Sequence, residues 1–455
     1  MGQFSKAVRL VRRARLGRNL IIFGSVAAAV IVPIWAAAEP APETDDYIFM
    51  ESPKRAIILT GDTANVHREV MTVMYDTQEL HFQDPGIPRF LLIDREGTAA
   101  LGIGGAVQGV FSYDFRGSID DGGFTTFEIP VPADKAERER MQGSANHSSL
   151  FIKFVKQTKL GPLVAYAESQ FSGSANGYGF KVEQAYVSLG NVTVGKTRSS
   201  FVDATACMPT IDYQGPSGGT GGKPMMLRYR LLRPNGVSWA VSAEMPSVTG
   251  QYTDVYGMGV PVTASISPRV PDIPAFIQYG WDNGKSHVRF SAVFRDIAYR
   301  DLLSGKNRYE PGWGVQLSGV ANATRYLTFY YQGLYGRGVG TWLNDLSGFG
   351  YDLVPTTDDP GKMRAPGSLG VLAGARVNLA KNLFISGGYS FCRLYDQGRL
   401  PDNTYKRGNY AIVNAFYSPI PDLLIGVEYI HGSRKNVDNE HAQANRLNAM
   451  LKYSF

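Results

Sequence analysis

The sequence predicts an all-β protein, a transmembrane antiparallel β-barrel of about 16 strands with one long loop folded into its lumen. Three observations carry this expectation. The chain opens on a basic and then apolar leader, its body is a succession of two-faced strands without helices between them, and its last strand alternates up to a terminal aromatic, Phe455. Only 44% of the residues are hydrophobic, so no membrane-spanning helix is needed to explain the chain.

In the leader, Lys6, Arg9, Arg12, Arg13, Arg15 and Arg18 precede an apolar run from Leu20 to Val32. That run is too short to span a bilayer comfortably, and Ala36, Ala37 and Ala38 then supply the small residues a signal peptidase requires. Residues 1–38 are therefore expected to be a signal peptide cleaved after Ala38. The Arg12-Arg13 pair lacks the flanking pattern of twin-arginine export, and a cofactor-free barrel must travel unfolded, so the general secretory route is expected. The leader takes six of the 46 basic residues and no acid, leaving 40 basic against 40 acidic. A formally neutral mature chain gives no ground for a nucleic-acid partner. Two cysteines, Cys207 and Cys392, are too few for a disulfide scaffold; a single bridge between them would need Cα atoms within about 7 Å.

Residues 39–88 are irregular and punctuated by proline, with one short helical candidate over 63–75 that sets Val66, Val70, Val73 and Met74 on one side. They read as a periplasmic N-terminal segment without a core of its own. The barrel is assigned to residues 89–455. There the texture becomes aromatic, Gly-rich and charge-poor, with a period of two. Between Leu101 and Phe115 most odd positions are large and apolar while even ones are small or polar; the same split recurs in Trp239–Met245 and Leu423–Tyr429. Alternation alone would also suit a soluble sandwich. The leader, the number of two-faced strands, and Tyr113, Phe115, Tyr279 and Trp281 at strand ends, where interfacial girdles need aromatics, favour the membrane. An average of roughly 20–25 residues per strand and connection gives about 16 strands, enough to leave an aqueous channel.

In the final strand Leu447, Ala449, Leu451, Tyr453 and Phe455 alternate with Arg446, Asn448, Met450, Lys452 and Ser454. Barrel-assembly machinery reads such a strand. The outer membrane of a Gram-negative bacterium, with its lipid and lipopolysaccharide, is the expected setting.

No catalytic residue, metal site or cofactor is predicted. The string Gly215-Pro216-Ser217-Gly218-Gly219 echoes the G-x-S-x-G of hydrolases, but the glycines that follow leave no room for the helix that motif needs. Lys223-Pro224 lacks the hydroxyl residue of a phosphate loop. The six histidines show no metal-ligand spacing. Asn146, His147 and Ser148 are adjacent on a strand and point to opposite faces, so they cannot converge as an outer-membrane lipase site would require. The stretch Ser199–Lys223 is far longer than a hairpin needs; it is either an extracellular surface loop or a loop that folds inward and narrows the pore, and the family resemblance given below favours the second.

Strand parity nominates the pore lining. With Leu227, Tyr229 and Leu231 outward, Arg228 and Arg230 enter the lumen; with Val288, Phe290 and Phe294 outward, Arg289 and Arg295 do so. Arg376, Arg446 and Lys452 follow by the same argument, against Asp114, Glu244, Glu428 and Glu168 on the inner face. Lys196, Arg198 and Lys223 flank the long loop. These ten cationic residues are the candidate anion-binding set, because low-dielectric walls focus their field and guanidinium forks grip carboxylates. The bland alternative is that the arginines pair with those acids and stiffen the wall.

Several strings in register carry a family resemblance. Gly161-Pro-Leu-Val-Ala-Tyr-Ala-Glu168, Phe180-Lys-Val-Glu-Gln-Ala-Tyr-Val187, Val194-Gly-Lys-Thr-Arg-Ser-Ser-Phe-Val-Asp203 and Ile211-Asp-Tyr-Gln-Gly-Pro-Ser-Gly218 come first. Arg269-Val-Pro-Asp-Ile273, Val293-Phe-Arg-Asp-Ile-Ala-Tyr-Arg300, Gly312-Trp-Gly-Val-Gln-Leu-Ser-Gly319, Gly426-Val-Glu-Tyr429, Asn445-Arg-Leu-Asn448 and Lys452-Tyr-Ser-Phe455 continue the series. Over roughly 90–455 the chain resembles the DcaP-like porins. That resemblance implies a homotrimer of sixteen-stranded barrels passing small, often dicarboxylate, anions. Arg198 stands where the family usually has Trp, and Glu183 stands near a commonly basic position. No sustained heptads mark the family's N-terminal coiled coil in residues 39–88. The rival functions are a barrel enzyme and an adhesion barrel using the aromatic clusters Thr341-Trp342-Leu343 and Phe349-Gly350-Tyr351.

Overall fold

The computed structural model describes residues 57–58, 68–77, 79–117, 123–136, 138–173 and 179–455. The expected signal peptide and the first residues of the expected helix, 63–67, lie outside the described residues. Among the described residues, sixteen antiparallel strands close into a barrel. They are β1 Ala99–Arg116, β2 Ser149–Thr158 with its outer part Arg140–Ser144, β3 Gly161–Gln170, β4 Lys181–Leu189 and β5 Val192–Lys196. Next come β6 Met225–Leu231, β7 Gly236–Glu244, β8 Ile273–Trp281, β9 Ser286–Asp301, β10 Lys306–Thr324 and β11 Leu327–Arg337. The wall ends with β12 Gly367–Ala380, β13 Leu383–Tyr395, β14 Tyr405–Tyr417, β15 Leu423–Asn436 and β16 His441–Ser454. Each strand pairs with the next, and β16 returns to β1 with Arg446 opposite Asp114 and Tyr453 opposite Val107, so the sheet has no open edge.

The period-two pattern is realised as read. Leu227 and Tyr229 are 55% and 46% exposed on the outer wall, while Met226 and Arg228 between them are 3% and 7% exposed. Val107, Phe111, Phe290, Phe294 and Leu451 likewise stand outside, and Asp114, Glu244, Glu428 and Lys452 inside. An apolar exterior over a polar interior is the inverse of a soluble fold and suits lipid. Paired rings at strand ends, Tyr113 with Phe115 and Tyr279 with Trp281, supply the expected girdle aromatics.

One end of the barrel carries short turns such as Lys159-Leu160, Gly190-Asn191 and Lys381-Asn382. The other end carries the long connections 197–224, 245–272 and 338–366. Two of these turn into the lumen. The loop 197–224 buries Phe201, Val202, Ala206, Met208 and Ile211, in line with the inward-folded loop expected from its length and the family resemblance. The loop 338–366 folds in beside it. Trp342, Leu343, Leu346 and Tyr351 pack with Phe201, Leu334, Cys392, Leu394 and Tyr405. Trp342 is 4% and Tyr351 5% exposed, so the aromatic clusters read from the sequence as an adhesive surface lie inside the molecule. They satisfy the inner wall, where the alternation leaves a small-residue lining for loops to cover. Gly374 and Gly388 on β12 and β13 form part of that lining: a Cβ at either would collide with Met208 Sδ.

The N-terminal segment also enters the barrel. A short helix, α1 (Arg68–Met74), buries Val70 and Met74 against Leu91, Ile93, Ala100, Val155 and Val164 near the short-turn end. Gly102 makes this approach possible, since a Cβ there would lie 2.7 Å from Pro88 and 2.8 Å from Met74 Sδ. Lys153 Nζ donates to the carbonyls of Val73 (2.7 Å) and Met74 (3.0 Å) at the helix C-terminus, where a cation complements the unsatisfied carbonyls. The described part of the segment thus packs on the barrel's core.

Candidate lumen site

Strand parity sends Arg228 and Arg230 of β6 into the lumen, opposite Ser242 and Ala240 of β7. Three strands on from β6, Arg289 of β9 turns the same way, and Arg198 sits where the chain leaves β5 for the constriction loop. These four arginines converge on one cavity of about 180 Å³. Lys153 and Arg233 line it as well, and its carboxylates are Asp76, Glu79, Asp84 and Asp203. Three of those four acids belong to the N-terminal segment. The barrel's own contribution is six cationic side chains against Asp203 alone.

Each arginine is held differently. Arg198 donates from Nη2 to Asp84 Oδ1 at 2.5 Å and from Nη1 to the Glu79 carbonyl at 3.0 Å. Arg230 Nη1 pairs with Glu79 Oε2. Arg289 donates to Gln278 Oε1 (2.8 Å) and the Val202 carbonyl (3.1 Å), lies 3.9 Å from Asp203 and stacks 4.1 Å from the Phe276 ring. Arg228 donates from Nη1 to the Arg198 carbonyl at 3.2 Å, while its buried Nε has no hydrogen-bond partner among the described residues. An unmatched guanidinium nitrogen away from bulk water costs free energy unless an acceptor arrives.

The charges set the protonation states of the acids outside the strands. Burial would raise the Glu79 carboxyl, but Arg230 and Arg228 outweigh it and hold the group down to about 2. At Asp84 burial is likewise overcome by Arg198, and at Asp203 by Arg289 and His287, so both lie below the usual carboxylate range. Burial lowers His81 to about 4 against the pull of Asp84, leaving it neutral at physiological pH. Glu79 keeps 47% of its side chain open to the cavity, so its ion pair is water-accessible.

The other sequence-nominated cations lie outside this cluster. Lys223 Nζ binds Glu183 Oε2 and Lys196 Nζ the Glu183 carbonyl, both at 2.9 Å, at the root of the constriction loop. Arg295 is fully buried between Asp272 (3.3 Å) and Asp352 (3.2 Å), under the folded-in loop 338–366. Arg446 is committed to Asp114, and Arg376 to Asn378 with its guanidinium over Phe384. Lys452 points to the carbonyls of Asp84 (3.0 Å) and Gln83 (3.5 Å). For Arg295 and Arg446 the wall-stiffening alternative describes their contacts. Sequence reasoning passed over Lys153, which the alternation of β2 places inward, and Glu79 and Asp84, which no local pattern could have put in a barrel.

The constriction loop is tied across the lumen. Glu428 of β15 accepts from Thr210 Oγ1 and the Ile211 and Asp212 amides at 2.8–3.0 Å. Asp203 meets His287 Nε2 (2.8 Å) and Ser318 Oγ (2.7 Å) through the same oxygen, Oδ2. With the carboxylate between histidine and serine, this is not the order in which an imidazole would activate a hydroxyl. His147 stacks on Tyr213, and Ser148 Oγ accepts from the Gln108 amide, so that triplet assembles no site. Cys207 and Cys392 are both free thiols.

A family model described as DcaP outer membrane protein matches residues 98–248. The structure is similar to the outer membrane channel DcaP of Acinetobacter baumannii, with 22% identity and a TM-score of 0.68 over 80% of this chain and 99% of that one. An anion-selective porin from Comamonas acidovorans aligns at 10% identity with a TM-score of 0.50 over 78% of this chain and 100% of that one. No curated protein sequence matches the chain. The family match and the closed sixteen-stranded barrel bear out the resemblance read from the sequence and support an outer-membrane porin.

Proposed function

We propose that this outer-membrane porin passes small anionic solutes, dicarboxylates among them, and that the cavity of Arg198, Arg228, Arg230 and Arg289 is where they bind. The observation that carries the reading is Arg228: a guanidinium 7% exposed, its Nε without an acceptor, beside three further arginines. A carboxylate entering there would supply the missing acceptor, and a second carboxylate would find a neighbouring fork. Charge-assisted, partly hydrated contacts of this kind bind weakly enough to release, as conduction requires.

In the same proposal residues 1–38 are removed on export, residues 39–88 act on the periplasmic side of a barrel spanning 89–455, three copies associate through their walls, and Phe455 presents the last strand to the assembly machinery. The amide of Phe455 donates to the Gly105 carbonyl at 2.9 Å and its carbonyl accepts from the Gly105 amide at 2.8 Å, fixing that end in the seam. The reading is tested by reversal potentials of the refolded protein in asymmetric salt. Anion selectivity is expected, and Arg228→Ala should reduce it and weaken block by a dicarboxylate. A cation-selective wild-type channel would exclude the proposal.

A further inference from the structure

The N-terminal segment crosses the lumen from wall to wall. It leaves α1 at Lys153 of β2, reaches Arg198 and Arg230 with Asp84 and Glu79, and arrives at the far side with Phe82 packed on Phe416 (4.8 Å between ring centroids) and Phe384 (6.1 Å). Gln83 Nε2 donates to the Asp212 carbonyl of the constriction loop at 2.5 Å, and Lys452 holds the Asp84 carbonyl. The chain from Glu79 to Asp84 therefore lies across the route a solute would take, and it lies there through carboxylates seated on cavity arginines. A barrel that binds carboxylates and a tether that offers them are chemically matched.

We infer that residues 79–84 are a tethered anionic strap: Glu79 and Asp84 occupy the arginine cavity as an internal dicarboxylate, and a solute dianion must displace them to bind and pass. This rests on the reading of the cavity as an anion site and adds its regulation. The strap carries two of the four cavity carboxylates, so its departure leaves six cationic side chains facing Asp76 and Asp203 alone. The exposed Glu79 pair is the weaker attachment, because water screens it, and it is where exchange begins. The affinity for solute is lowered by the fraction of time the strap is seated.

The inference is tested in planar bilayers on the full chain, with succinate as the blocking probe. Glu79→Gln with Asp84→Asn removes the internal carboxylates, and Phe82→Ala loosens the far anchor without changing charge; folding of each variant is checked by heat-modifiable migration. Both variants should raise open-channel conductance and lower the apparent succinate dissociation constant, by about tenfold if the seated strap dominates. If only the charge variant shifts binding, the acids act as a fixed field and the strap does not move. If neither shifts it while Arg228→Ala weakens block, the strap idea fails and the anion site stands. If Arg228→Ala is also without effect, the anion site fails and the inference with it.

Discussion

Arg446 grips Asp114 through both carboxylate oxygens, Nε to Oδ1 at 2.7 Å and Nη2 to Oδ2 at 2.9 Å, across the seam where the last strand meets the first. The pair is buried on both sides, at 4% and 0% side-chain exposure. The two residues are 332 positions apart and are brought together only by closure of the barrel. A planar fork on a carboxylate fixes register as well as charge, so this contact selects one alignment of the final strand.

Breaking it from one side leaves an uncompensated charge in a buried setting. Arg446→Met should therefore cost about 3–5 kcal/mol and lower the temperature at which the refolded barrel loses its compact migration. The double variant Arg446→Met with Asp114→Leu should recover most of that loss. Anion selectivity should be unchanged, because the guanidinium is already spent; Arg295→Met, between Asp272 and Asp352, should behave alike. A drop in selectivity in either case would place these arginines in the solute path.

Glu428 is the principal tie of the constriction loop. Glu428→Ala strands the hydroxyl of Thr210 and the amide of Ile211, each worth about 1–3 kcal/mol when left unmet, and leaves the Asp212 amide with Thr210 Oγ1 alone. Conductance traces of the variant should become noisier and larger in amplitude, and the loop should become cleavable by added protease near residue 210. Quiet wild-type-like steps would mean that the apolar contacts of Met208 and Ile211 suffice.

Asp212 adds a pH dependence to the same anchor. Burial and the nearby Glu428 charge raise its carboxyl from 3.8 to about 7, against the Phe124 amide, the Tyr410 hydroxyl and Arg446. A carboxyl that holds its proton more tightly when the loop is seated stabilises the seated loop fully at pH below about 4. That contribution fades as pH rises through about 7. Channel noise should accordingly increase between pH 5 and pH 8, and Asp212→Asn should flatten the profile. A wild-type profile that is flat over this range would show that the proton is not held there.

The wall was legible in the sequence because a strand between lipid and water must alternate, and Leu227-Arg228-Tyr229-Arg230 states its own orientation. The length of 199–223 marked it as more than a hairpin, and the family resemblance was needed to prefer an inward fold over a surface loop. What a period of two cannot express is who meets whom across a lumen. Alternation turns both Arg228 and Arg295 inward, yet one keeps a free nitrogen and the other is sealed between Asp272 and Asp352, because loop 338–366 folds over it. Trp342 and Tyr351 looked like an exposed aromatic patch for the same reason. The pairing of Glu79 and Asp84 with arginines more than a hundred residues away, Arg230 and Arg198, is a tertiary event with no local signature.

Met208 seats over Gly374 and Gly388, where no Cβ fits beneath its sulfur. The seat of the loop is in this sense set by two absent methyl groups in the wall. Gauge and chemistry are consequently separable properties of this barrel. Restoring one methyl, as in Gly388→Ala, would lift the loop like a shim under a valve seat and alter how large a molecule passes, while the four arginines of the proposed anion cavity keep their partners.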